Sequence, residues 1–164
     1  MAGIPVYRTA IAKEWIDYNG HLRDAYYALI VSEATDALMD RLGMDAAYRA
    51  ATSCTLYTLE MHLHFLKEVK QEETVEVSVR LLGADRKRLH AAFELSCPGA
   101  AQPSAGAELM LLHVHQGATV RSQSFPPAVA APIAALLESS RALRAAVPGS
   151  RALSLQGTAQ PSGA

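Results

Sequence analysis

The chain lacks the marks of a secreted, membrane-bound or nucleic-acid-binding protein. It has only two cysteines, Cys54 and Cys97, far apart in sequence, so no disulfide framework is expected and a reducing cytoplasm is the simpler setting. Neither sign of charge is in excess, with 15 Lys and Arg against 16 Asp and Glu. A near-neutral chain projects no global field toward nucleic acid or an anionic membrane, and neither is expected as a partner. Met1 to Tyr7 has no basic segment followed by an apolar run, so no secretory leader is read there. No apolar run approaches the roughly 20 residues needed to span a bilayer. What is present is a chain of 164 residues, half of them hydrophobic and 19% charged, which suffices for one globular domain with a real core.

Ile11 to Ile16 reads as the end of a strand. From Ala25 to Leu42, the residues Tyr27, Ile30, Ala34, Leu38 and Leu42 recur at helical spacing, and Gly43 follows as a C-terminal cap. Ser32, Glu33, Asp36 and Asp40 form only a narrow polar stripe, so most of this helix must be covered, and a curved sheet would cover it. Asp45 to Ala51 reads as a short second helix. Strand signals then take over. Over Thr55 to Leu66, alternation puts Tyr57, Leu59, Met61, Leu63 and Phe65 on one face and Thr58, Glu60, His62 and His64 on the other. Thr74 to Leu82 turns Val75, Val77, Val79 and Leu81 inward, and Arg88 to Ser96 does the same with Leu89, Ala91, Phe93 and Leu95. Gly83 to Lys87 reads as their hairpin connection. Pro98 to Gly106 reads as a loop, and Glu108 to His115 with Thr119 to Phe125 as a further hairpin. Pro126-Pro127 ends the sheet, and Pro132 to Val147 is a C-terminal helix. The domain is read as 1–147, with 148–164, rich in Ser, Gly, Gln and Pro, as a disordered tail. A buried helix followed by antiparallel strands is an α+β arrangement, and strands this long need their edges covered, which favours a dimer.

The most informative stretch is Asp17-Tyr18-Asn19-Gly20-His21-Leu22-Arg23-Asp24-Ala25-Tyr26-Tyr27, at the entry to the long helix. A helix N-terminus offers unpaired N–H groups and a positive dipole end, both suited to a developing oxyanion. A carboxylate delivered to the same place can act as general base or nucleophile. The plainer alternative is that Asp17 and Asn19 only build a capped turn.

This stretch and the element order resemble the hotdog-fold acyl-CoA thioesterases of the 4-hydroxybenzoyl-CoA thioesterase type. A narrower likeness, to the betainyl-CoA thioesterases of bacterial carnitine breakdown, is carried by Tyr57 to His62, Phe65 to Val69, Leu81 to His90 and Met110 to Val114. The resemblance implies a hotdog fold, a long central helix wrapped by a curved antiparallel sheet. It implies an active site formed across a homodimer, with a dimer of dimers as the larger alternative. By that resemblance Asp17 acts on the thioester carbonyl carbon, and a backbone N–H at about Asp24 holds the oxyanion. Arg23-Asp24 replaces the Asn-Asn common in the family, and Arg23 would offset the added carboxylate or reach a CoA phosphate.

Each further candidate carries two readings. His21 would orient Asp17 or bind substrate, or else tie the turn together. Asn19 would orient a water, or else form an Asx-turn. Glu33 lies near where hotdog relatives place an acidic residue on the helix, or belongs to the solvated stripe. Arg86, Lys87 and Arg88 would anchor CoA phosphates, or form a solvated hairpin. A trimethylammonium acyl end would need aromatic faces, for which Tyr18 and Tyr26 flank the turn. His62/His64 and His113/His115 have the strand spacing of a zinc grip, yet no cysteine or carboxylate spacing accompanies them, so no metal and no cofactor is expected. The resulting expectation is hydrolysis of a short acyl-CoA, betainyl-CoA to glycine betaine and CoA. The alternatives are a non-catalytic acyl-CoA-binding or sensor domain, and an enoyl-CoA hydratase. D-Y-N-G-H argues against the hydratase, whose D-x-N-P-x-H motif has a proline and places its histidine one residue later.

Overall fold

The computed structural model describes residues 3–141 and Leu143. Among them a six-stranded antiparallel sheet has the order β1-β3-β4-β5-β2, with the short β6 paired to β5. The strands are β1 (Ile4–Ala10), β2 (Cys54–Phe65), β3 (Thr74–Ala84), β4 (Arg88–Ser96), β5 (Ala105–Gln116) and β6 (Val120–Ser122). The helices are α1 (Asp24–Arg41), α2 (Ala46–Thr52) and α3 (Pro127–Arg141). The curved sheet wraps α1 in the hotdog arrangement.

The core follows the apolar periodicities. Val75, Val77 and Val79 of β3, Leu89, Ala91 and Leu95 of β4, and Leu109 and Leu111 of β5 are buried against Ile30, Val31, Ala34 and Leu38 of α1. Burying each of the larger of these side chains contributes about 1.5–3 kcal/mol. Ser32, Glu33, Asp36 and Asp40 lie on the exposed stripe. Gly43 ends α1 with φ +80°, where a Cβ would be strained.

Four sequence expectations change. Ile11–Ile16 is not a strand: β1 ends at Ala10, and Lys13–Trp15 is a 3-10 turn. In β2 the alternation breaks at Leu59, the extra residue of a bulge, because Thr58 pairs with Leu111 while Glu60 pairs with Met110. Cys54 and Leu56 are therefore buried before the bulge, whereas Tyr57 and Leu59 stand exposed. β5 begins at Ala105 inside the expected loop, and β6 shrinks to Val120–Ser122. α3 begins at Pro127, since a proline lacking its N–H fits the first helical position, and Pro132 lies inside it. The expected end of that helix at Val147 and the tail 148–164 lie outside the described residues. No helix among the described residues is long and apolar enough to cross a membrane.

Candidate active site

The Asp17 turn is fixed by its own backbone. Asp17 N–H donates to the His21 carbonyl (2.8 Å), Gly20 N–H donates to the Asp17 carbonyl (3.1 Å), and Gly20 takes φ +83°. Two further bonds tie this turn to the protein: Arg23 N–H to the Trp15 carbonyl (3.0 Å) and Leu22 N–H to the Val69 carbonyl (2.8 Å). The extended Arg23 then gives way to the first residue of α1, Asp24. Turn and helix entry are therefore tied to each other and to the segment after β2.

Within the turn the Asp17 carboxylate accepts from Asn19 N–H (2.8 Å), Asn19 Nδ2 (3.3 Å) and His21 N–H (3.1 Å). The His21 N–H bond holds Asp17 below the ordinary carboxylate range, slight desolvation opposes it, and the Asn19 contacts add to the lowering. Asn19 thus serves as the orienting group of an Asx-turn. The imidazole of His21 is paired with Glu68, its Nε2 3.0 Å from Glu68 Oε2. At the helix entry Ala25 N–H is taken by the Asp24 carboxylate (2.8 Å) and Tyr26 N–H by the Arg23 carbonyl (3.0 Å). Among the described residues the Asp24 N–H has no acceptor, as befits the first turn of a helix.

A cleft of about 330 Å³ opens beside this entry, walled by His21, Asp24, Tyr27, Phe65, Lys67 and Glu68 among others. Asp17 is not one of its walls; its carboxylate is tied to the backbone N–H of the wall residue His21 (3.1 Å). Tyr27 and Phe65 meet edge to face, with centroids 5.1 Å apart. Phe65 and Glu68 are members of this wall to which the sequence reading gives no site role, although Phe65 to Val69 carries its narrower likeness. Both come from the end of β2 and the segment after it, brought to the turn by the His21–Lys70 bridge and the Val69 carbonyl.

The remaining candidates are dispersed. Tyr18 is 95% exposed. Tyr26 stacks on Trp15 at 5.4 Å and 17°, so neither aromatic flanking the turn forms a wall of the cleft. Glu33 is exposed, about 13 Å farther along α1 at 1.5 Å per residue. Arg86, Lys87 and Arg88 sit at the other end of the sheet, roughly 23 Å away by strand rise between the levels of Leu112 and Ala105. There Asp85 accepts from Lys87 N–H, Arg88 N–H and Arg88 Nε, which holds its carboxyl at about 2, while Lys87 Nζ donates to Ser122. The histidine pairs do not converge: His62 stands opposite Glu108, and His113 opposite Leu56. Among the described residues no group of three His, Cys, Asp or Glu side chains is placed to hold a metal ion.

The comparisons agree with the fold. A betainyl-CoA thioesterase of Pseudomonas aeruginosa is 51% identical over 140 residues, spanning 85% of this chain and 87% of that protein. A Pseudomonas putida KT2440 crystal structure with a provisional thioesterase description superposes with TM-score 0.83 at 41% identity, covering 96% of this chain and 99% of that one. A Staphylococcus aureus protein solved in complex with CoA superposes with TM-score 0.77 at 27% identity, covering 84% and 87%. The family model of the thioesterase-like superfamily matches residues 11–133, and the chain belongs to that superfamily.

Proposed function

We propose that this thioester hydrolase cleaves a short cationic acyl-CoA, betainyl-CoA, to glycine betaine and free CoA, as a step of carnitine breakdown in the cytoplasm. The observation that carries the reading is the Asp17 carboxylate, held by three N–H bonds on a turn that is continuous with the start of α1. Asp17 takes a proton from a water whose oxygen bonds to the thioester carbon. The oxyanion is received by the Asp24 N–H at the positive end of α1, where one such donor contributes about 2.7–4 kcal/mol. Collapse breaks the C–S bond, and the CoA thiolate leaves and takes up a proton.

The assembly that suits this chemistry is a homodimer through β2, with a dimer of dimers as the larger form. β2 ends the strand order and leaves its outer edge unpaired among the described residues, with Tyr57 and Leu59 exposed along it. Antiparallel pairing of two β2 edges would set the hairpin end of one copy beside the turn of the other. Arg86 and Lys87 of that second copy would then face the CoA phosphates, with Arg23 nearer the thioester. Free-thiol release over a panel of CoA thioesters tests the function. Betainyl-CoA should be split fastest. If only neutral short chains react, the cationic assignment falls, and if none reacts, an acyl-CoA-binding role replaces hydrolysis.

A further inference from the structure

The cleft beside α1 combines features that a neutral acyl chain would not use. Phe65 is 55% exposed and packs edge to face on the buried Tyr27, so part of its ring is open to the cleft. The charged walls are the carboxylates of Asp24 and Glu68 and the ammonium of Lys67, with the His21 imidazole paired to Glu68 at 3.0 Å. Burial pushes the Tyr27 hydroxyl up, a Val69 backbone hydrogen bond opposes it, and the nearby charges of Glu68 and Glu73 add smaller rises. The cleft's volume, about 330 Å³, is at the lower end of the roughly 300–1,000 Å³ of small-ligand sites. It suits a short acyl end rather than a long chain.

We infer that this cleft is a quaternary-ammonium subsite, in which the Phe65–Tyr27 corner supplies the aromatic face and Glu68, with Asp24, supplies the counter-charge. A trimethylammonium group has no N–H to donate, so a hydrogen-bonding carboxylate cannot hold it. It requires a ring face and an anion at van der Waals distance, and these walls provide both. A neutral chain of the same shape gains nothing from the carboxylates and must desolvate them. The placement matches a betainyl chain, in which one methylene separates the carbonyl carbon from the nitrogen. With the carbonyl oxygen at the Asp24 N–H, the cation falls among the side chains of the same cleft. The subsite rests on the thioesterase reading for the position of the carbonyl, and it makes Phe65 and Glu68 specificity-determining residues.

Two thioether probes separate the subsite from the reaction, since neither has a carbonyl to hydrolyse: S-(2-trimethylammonioethyl)-CoA and its carbon isostere S-(3,3-dimethylbutyl)-CoA. Calorimetric titration of the full chain should give a Kd about tenfold lower for the cation. Glu68→Gln and Phe65→Leu should each bring that ratio close to one while the far-UV spectrum and thermal midpoint stay those of the parent. A ratio near one in the parent protein overturns the subsite even if betainyl-CoA is hydrolysed. Equal weakening of both probes by Glu68→Gln also overturns it, because Glu68 would then act only by propping the Asp17 turn through His21. A retained cation preference in a protein that cleaves no thioester upholds the subsite and removes the hydrolase reading.

Discussion

The two ends of the β2–β5 ladder are finished in opposite ways. At the hairpin end His113, fully buried, bonds through Nδ1 to the Gln123 carbonyl (2.9 Å) and through Nε2 to the Tyr48 hydroxyl (2.9 Å). A carbonyl can only accept, so Nδ1 carries a hydrogen, and in the neutral ring the Tyr48 O–H donates to Nε2. Phe125 covers the ring at 4.9 Å, and its own N–H reaches the Arg86 carbonyl (2.8 Å). At the other end Phe65 and Leu66 are exposed, two clefts of about 330 and 520 Å³ open side by side, and the α1 entry has a spare N–H. The end that satisfies its own polar groups holds the fold. The end that does not is where a ligand or a second copy supplies what is missing.

The sharpest way to test that division is to remove one polar group from each end. Asp17→Asn keeps the shape of the turn but cannot accept a proton, so kcat should fall about 10²–10⁴-fold. The Kd for a thioether analogue of the substrate and the urea midpoint should hardly move. A variant that turns over normally removes Asp17 from the chemistry. His113→Ala should do the reverse. It leaves a cavity and strands the Tyr48 hydroxyl and the Gln123 carbonyl, costing about 3 kcal/mol by urea titration. kcat per folded molecule should stay within about twofold, because His113 lies roughly 26 Å along the ladder from the turn of its own copy, and across the proposed β2 pairing only Arg86 and Lys87 of its end would reach the CoA phosphates, which acts on KM. Loss of kcat without loss of stability would break the comparison.

Two glycines sharpen it on a smaller scale. Gly20 and Gly43 have φ +83° and +80°, and a Cβ at either would meet nothing within 4 Å. Alanine at each therefore incurs only the left-handed backbone cost, about 1 kcal/mol, visible as similar drops in urea midpoint. Only Gly20→Ala should also lower kcat/KM, because only that turn carries a reacting carboxylate. Equal kinetic effects would mean that activity tracks overall stability rather than the turn.

The sequence disclosed what is periodic and hid what depends on distant segments meeting. α1 was legible because Tyr27, Ile30, Ala34, Leu38 and Leu42 recur at one spacing, and β3 and β4 because their valines and leucines alternate without a break. The Leu59 bulge was not, since a single inserted residue leaves the composition of β2 unchanged while moving its apolar face. β1 escaped notice because an edge strand is only half buried and carries its own irregularity near Val6. The Asp17 turn was readable because Asp17, Asn19 and His21 are local in sequence. Glu68 was not, because its partner His21 lies far back along the chain. Tyr18 and Tyr26 flank the turn only in sequence, whereas the cleft's aromatics are Tyr27 and Phe65, which meet across the α1–β2 gap.

The smallest effect concerns the acid limb of the pH profile. Asp17 must be ionised to act, and its hydrogen bonds hold its pKa below the ordinary value, so kcat/KM should stay level as pH falls through the usual carboxylate range and decline only below it. The same sign governs stability: Asp17's contribution is complete above the unfolded-state pKa and is lost as pH falls through the lower folded value. Asn19→Ala deletes the Nδ2 contact at 3.3 Å but spares the Asn19 and His21 N–H bonds at 2.8 and 3.1 Å. It should therefore move the limb toward higher pH by only part of the depression, with the plateau rate nearly kept. The matching change at the hairpin end, Ser122→Ala, removes the Lys87 Nζ contact and should leave the profile where it was. A limb that shifts equally in both variants would mean that the profile reports a global transition and not the ionisation of this turn.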